Sequence, residues 1–229
     1  MTFIRRAIAL TAATAMTALV TIVASACGGA TTAARTTTNG LEKKSPADVL
    51  QEASAALKAA KSVHIVVTNA DGHLDLRMED GSSTGTFTRA GAQARVTIIG
   101  RDGYAKADDQ AGLKMIGVPK PVQRRAAGRW LKVPTQGFTG FTIAEFASAL
   151  TTYFGPVEPK VRRATLNGRK VVVVSWRNGS KLHIANTGPA YPFRAEFKGQ
   201  HPGLIEFSEY GAPLHITAPS NAIDISNAG

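Results

Sequence analysis

The sequence predicts an α+β fold, a curved antiparallel β half-barrel of about eleven strands with two main helices on its concave side. Three observations carry this expectation. Beyond residue 62 the apolar side chains recur at every second position, five Asp-Gly or Asn-Gly pairs separate the runs, and only two stretches keep a helical spacing. Period two is how antiparallel strands read when one face is buried and the other solvated. The pairs suit tight hairpins, because both residues accept positive φ.

Ahead of the fold lies an export signal. Arg5 and Arg6 precede an apolar run of about 17 residues, and Val23-Ala24-Ser25-Ala26-Cys27 reads as a lipobox. Cys27, the sole cysteine, is the expected lipidation site, carrying a thioether-linked diacylglycerol. An ordinary secretory signal with a chance cysteine is the other reading. The apolar run ends at a cleavage site, which makes it a poor permanent membrane span. The expected organisation is a lipoprotein signal peptide at 1–26, a flexible tether at 27–44, and a lipid-binding half-barrel domain at 45–229. Residues 28–44 are small and polar apart from Leu41, too poor in apolar surface for a core. One cysteine excludes an intramolecular disulfide, so packing and sheet hydrogen bonds must hold the domain.

The elements follow in order. Ser45-Pro46-Ala47-Asp48 opens a helix, with Ser as N-cap, Pro at the first turn and an acid three residues on. Val49, Leu50, Ala53, Leu57 and Ala60 then form its apolar face. From Ser62 strands take over: Leu74, Leu76 and Met78 alternate with Asp75, Arg77 and Glu79, and Phe193, Ala195 and Phe197 with Arg194, Glu196 and Lys198. The expected turns are Asp71-Gly72, Asp80-Gly81, Asp102-Gly103, Asn167-Gly168 and Asn178-Gly179, which makes a meander. Residues 108–129, rich in Gly and Pro, read as a long connection or lid. They carry the densest basic cluster: Lys120, Arg124, Arg125, Arg129 and nearby Lys132. A second helix starts at Thr142, with Glu145 completing a capping box, and presents Ile143, Phe146, Leu150, Tyr153 and Phe154.

The formal charge of +11 falls to +9 once Arg5 and Arg6 are removed. For an exported chain that balance fits anionic headgroups or acidic envelope glycolipids. No helix-turn-helix or aromatic RNA-binding pattern points to nucleic acid. The five histidines are scattered without metal-ligand spacing. There is no Gly-x-Ser-x-Gly elbow, P-loop or Rossmann glycine pattern, so neither an enzyme nor a cofactor is expected.

A sheet this wide tends to curl, and two helices cannot cover its whole apolar face. The remainder either packs against loops or encloses a cavity. Two passages carry a family resemblance: Leu50-Gln-Glu-Ala-Ser-Ala-Ala-Leu57 running through Ser62-Val63-His64-Ile65, and Phe207-Ser208-Glu209-Tyr210-Gly211-Ala212-Pro213 running on to Pro219. They resemble the opening and the ending of the mycobacterial LppX/LprG-type lipoproteins, where Asp-Trp-Gly is commoner than Glu209-Tyr210-Gly211. The resemblance implies a half-barrel similar to the LolA/LolB carriers and a cavity for acylated lipids or lipoglycans.

The expected function is therefore binding, and transport, of acylated lipids or glycolipids by a lipid-anchored protein on the extracytoplasmic face of the cell membrane. The alternative is a membrane-tethered scaffold or binding module with a solid core. The expected cavity lining is Ile65, Val67, Leu74, Leu76, Val96, Ile98, Phe146, Leu150, Val172, Val174 and Trp176. Headgroup or membrane contact is assigned to Arg124, Arg125 and Arg129. Protein partners are left open.

Overall fold

The structure, a computed structural model, describes residues 37–134, 141–152, 155–200 and 202–225. Cys27 and the lipobox, most of the expected tether, Tyr153, Phe154 and His201 lie outside the described residues. The rest belongs to one compact unit.

Its frame is a single sheet of twelve strands in the order β12-β6-β5-β4-β3-β2-β1-β11-β10-β9-β8-β7. The N-terminal meander comprises β1 (Ser62–Asn69), β2 (Gly72–Glu79), β3 (Ser82–Arg89), β4 (Ala92–Ile99), β5 (Asp102–Lys106) and β6 (Leu131–Val133). The C-terminal meander comprises β7 (Arg162–Leu166), β8 (Arg169–Ser175), β9 (Lys181–Ala185), β10 (Pro192–Phe197) and β11 (Gly203–Ser208). Pairing of β1 with β11 joins the two meanders, placing Ile65 opposite Phe207. A short β12 (Ile223–Asp224) adds the single parallel pair, on β6. The edges β7 and β12 do not meet, so the sheet stays open.

Among the described residues four α-helices accompany the sheet: α1 (Pro46–Ala59), α2 (Gln110–Met115), α3 (Lys120–Ala126) and α4 (Ile143–Thr152). Ser45 Oγ accepts from the Asp48 N–H at 3.2 Å and caps α1. At α4, Thr142 Oγ accepts from the Glu145 N–H while Glu145 Oε2 accepts from the Thr142 N–H, both at 3.2 Å. These reciprocal bonds satisfy two backbone donors that a helix start otherwise leaves unpaired. The Ser54 hydroxyl donates to the Ala147 carbonyl at 2.8 Å in the buried contact between α1 and α4.

The expected connection at 108–129 is corrected: it folds into α2 and α3. Asp109 Oδ1 accepts from the Gly112 N–H at 2.7 Å, starting α2 despite the surrounding Gly and Pro. Gly112 is required by close approach, since a Cβ there would lie 2.4 Å from the Gln93 carbonyl oxygen. The boundary at Ser45 also shifts. Residues 39–44 pack onto the domain, with Leu41 only 1 % exposed in a 3-10 turn (Leu41–Lys43). Asn39 Nδ2 donates to the carbonyls of Ala185 and Gly188, both at 3.0 Å.

Turn positions divide. Asp80-Gly81 and Asn167-Gly168 are the two-residue loops expected, and Asn178-Gly179 sits in the β8–β9 connection. Asp71-Gly72 is displaced by one residue, because the loop is Ala70-Asp71 and Gly72 already pairs with Asn69. Asp102-Gly103 lies inside β5, since Gly100-Arg101 makes the turn. Near the end of the sheet Tyr191 and Tyr210 stack with ring centres 4.0 Å apart. The Tyr210 hydroxyl donates to the Pro192 carbonyl, and burial pushes that hydroxyl far above its ordinary range.

Candidate functional site: an apolar pocket on the inner face

Register assigns the two faces of the sheet. Ile65 stands opposite Leu76 and Phe207, Val67 opposite Leu74, Leu76 opposite Gly85, and Gly85 opposite Val96. Val96 stands opposite Ala105, and Ala105 opposite Leu131. In the other meander Val172 pairs with Ile184 and Val174 with Leu182. With the buried sides of α1, α2 and α4 these residues form one core.

The outer face is polar. Arg77 holds Glu209 through two nitrogens at 3.1 and 3.3 Å, Arg194 holds Glu206 at 2.8 Å, and Lys132 holds Asp102 at 2.8 Å. His64 Nε2 lies 2.8 Å from Asp75, and its Nδ1 lies 3.3 Å from Ser208 Oγ and 3.6 Å from Glu209. A serine, a histidine and an aspartate are thus in line, but both ring nitrogens face carboxylates. The group is a polar ladder across β2, β1 and β11, with Ser208 Oγ and the Glu209 carboxylate both beside Nδ1. Among the described residues no group of three or more His, Cys, Asp or Glu side chains is placed to hold a metal ion.

On the inner face the core does not fill the whole space. A cavity of about 390 Å³ is lined by Leu74, Phe87, Met115, Ile116, Gly117, Val133, Pro134 and Phe141, with no charged side chain among them. It lies between β2 and β3 on one side and, on the other, the C-terminal end of α2, the end of β6 and Phe141, two residues before α4. Next to it, a groove of about 280 Å³ shares Leu74 and Phe87 and adds Val67, Asn69, Asp71, Gly72, His73, Thr88 and Arg89. An apolar chamber thereby adjoins a polar rim across two side chains.

Leu74 is the one expected lining residue in the apolar cavity, and Val67 joins it in the groove. Ile65, Leu76, Val96, Val172, Val174 and Trp176 from the sheet and Leu150 from α4 are buried in the packed core, with Phe146 partly buried against it, and Ile98 is buried outside that cluster. Arg124, Arg125 and Arg129 are exposed on and after α3 and line neither space. The sequence reading missed Phe87, Met115, Ile116, Val133, Pro134 and Phe141. Phe87 closes the run Ser83-Thr84-Gly85-Thr86, whose small polar residues hide a strand whose alternation the register reveals.

The fold so defined, an open and almost wholly antiparallel sheet with helices on its apolar side, has solved counterparts. LprF from Mycobacterium bovis superposes with a TM-score of 0.55 at 19 % identity, covering 76 % of this chain and 96 % of that one. The Mycobacterium tuberculosis lipoprotein LppX gives 0.49 at 12 % identity, covering 75 % and 98 %. The LprF match places this chain in the fold that its two ends resemble in sequence. No protein-family model matches the chain, and curated proteins give no significant sequence match.

Proposed function

We propose that this chain is an exported lipoprotein, anchored through Cys27, whose half-barrel binds acylated lipids by taking a hydrocarbon chain into the apolar cavity. The observation that carries this reading is the cavity itself, about 390 Å³ and lined, among the described residues, by eight residues without a charge. Its volume falls in the lower part of the ligand-pocket range of roughly 300–1,000 Å³, a size for part of one acyl chain. Each methylene that leaves water contributes about 0.8 kcal/mol, so binding needs no covalent step.

The adjoining groove holds the polar end. His73, Arg89, Asn69 and Asp71 line it within reach of Leu74 and Phe87, so a headgroup rests there while its chain lies beyond. Arg124, Arg125 and Arg129 serve the headgroup or membrane from α3, at the far side of Ile116 and Gly117 in the chain. The fold shared with LprF is consistent with this reading.

Native mass spectrometry of the chain purified from membranes tests the proposal. The expected result is a lipid adduct beyond the Cys27 modification, lost when Ile116→Trp fills the cavity. A chain without any adduct, or one that keeps its adduct in the Ile116→Trp variant, would overturn it.

A further inference from the structure

The chain enters the fold at a basic end of the sheet. Asn39 is fastened to the β9–β10 connection through the carbonyls of Ala185, Asn186 and Gly188, at 3.0 to 3.1 Å. The Asn186 N–H donates to the Lys170 carbonyl at 3.0 Å, so the point of entry adjoins the start of β8. Around that point Lys43, Arg162, Arg163, Arg169 and Lys170 are all exposed. Arg163 meets Glu42 at 3.2 Å, whereas Arg162 and Arg169 have no acidic partner among the described residues. The guanidinium of Arg169 sits 4.9 Å over the Phe193 ring, and a surface hollow of about 400 Å³ between them takes in Gly168, Lys170 and Thr187.

We propose that this end, the β7–β8 hairpin with the Thr187–Pro189 turn, docks on an anionic lipid surface. The inference rests on the anchor at Cys27. Eleven residues separate Cys27 from Asn39, a length over which a random-coil chain spans about 18 Å. The basic end is thus held within roughly two Debye lengths of the bilayer, where each Lys or Arg near the surface adds attraction to anionic lipid. A row of register partners places the other end: Ser175, Lys181, Glu196, Leu204, Thr68 and His73 follow one another across six strands. His73 and its groove therefore lie at the end of the strands away from Lys170. Docking by the basic end turns that groove outward, away from the membrane that holds the anchor.

The lone cysteine makes a single-probe experiment available. An environment-sensitive fluorophore is attached at Asn167→Cys, or at Asn178→Cys in the turn at the far end of β8, in the full chain bound to vesicles carrying a lipid-borne quencher. In vesicles with phosphatidylglycerol the Asn167 probe is expected to be quenched several-fold more than in pure phosphatidylcholine. The Asn178 probe should show no such difference. Adding Arg162→Gln, Arg169→Gln and Lys170→Gln together, or raising salt to molar levels, should remove the excess quenching. Equal quenching in both vesicles, or equal response of the two probes, would overturn the proposal. The mass of the mature chain reports the anchor separately, and a Cys27→Ser chain, which keeps the label single without the anchor, still scores docking by its dependence on anionic lipid.

Discussion

Leu74 and Phe87 stand directly opposite each other across β2 and β3, and this one cross-strand pair forms the wall shared by the apolar cavity and the polar groove. Beyond it toward Gly85 the inner face closes into packed core; toward Gly72 it opens to water. The pair sets where hydrocarbon ends and headgroup begins.

Phe87→Ala is expected to merge the two spaces. Phe87 is only partly buried, so the cost should be about 1–2 kcal/mol, below the roughly 3–5 kcal/mol of a fully buried phenylalanine. Urea unfolding measures that loss. Binding of a fluorescent fatty-acyl probe should weaken by about tenfold, while Val171→Ala on the outer face leaves it unchanged.

Gly85→Ala tests the close approach of β3 to β2. A Cβ at this position would lie 1.9 Å from the Asp75 carbonyl oxygen in the neighbouring strand. Backbone must move to admit it, and a loss of more than about 2 kcal/mol follows. Glycine inside a strand marks such close approaches. A folded variant of wild-type stability would show that β2 and β3 are not pressed together here.

Removing the cap of α1 by Ser45→Ala should cost about 1 kcal/mol, with most of the loss avoided in Ser45→Asp. The Asp48 N–H, now bonded to Ser45 Oγ at 3.2 Å, is the donor left without its partner. Thermal unfolding of the two variants side by side provides the check.

Between pH 7.5 and 3, two groups among the described residues make stability depend on pH. Burial lowers the pKa of His183 below its usual 6.5, against the opposing pull of Glu196. The unfolded chain then binds the proton more readily, so this contribution is full above about pH 6.5 and is lost as pH falls toward the folded value. Glu42 is held below its usual 4.5 by a hydrogen bond from its own backbone, against the effect of burial, with Thr38 and Arg163 adding to the lowering. Its contribution is present above about pH 4.5 and disappears as pH drops through the lower folded value. Unfolding curves from pH 7.5 to 3 should show a first loss absent in His183→Phe and a second absent in Glu42→Gln.

The limits of the sequence are local and physical. Ser45, Thr142 and the period-two runs announce caps and strands, because capping and alternation act over a few residues. Alternation also sorts most faces correctly, so Ile65, Leu76, Val96 and Val172 fall on one side of the sheet. It does not report depth: those four are core, while Leu74 two positions away from Leu76 meets the cavity. It misplaces Phe193, which alternates with Ala195 and Phe197 in the sequence: the irregularity between Pro192 and Arg194 turns it toward Arg169 on the outer face. Leu41 reads as a lone apolar residue in a polar segment, and only tertiary packing against the sheet end makes it core. Asp102-Gly103 shows the same limit, since hairpin register is settled by the strands' faces as much as by turn chemistry.

Photo-crosslinking with a lipid that carries a diazirine midway along its acyl chain tests the central claim most directly. Mass spectrometry of the labelled full-length chain should find the adduct on Met115, Ile116, Phe87 or Phe141, competed away by unlabelled lipid. Labelling confined to outer-face residues such as Val66 and Phe193, or labelling that unlabelled lipid does not compete, would contradict the account.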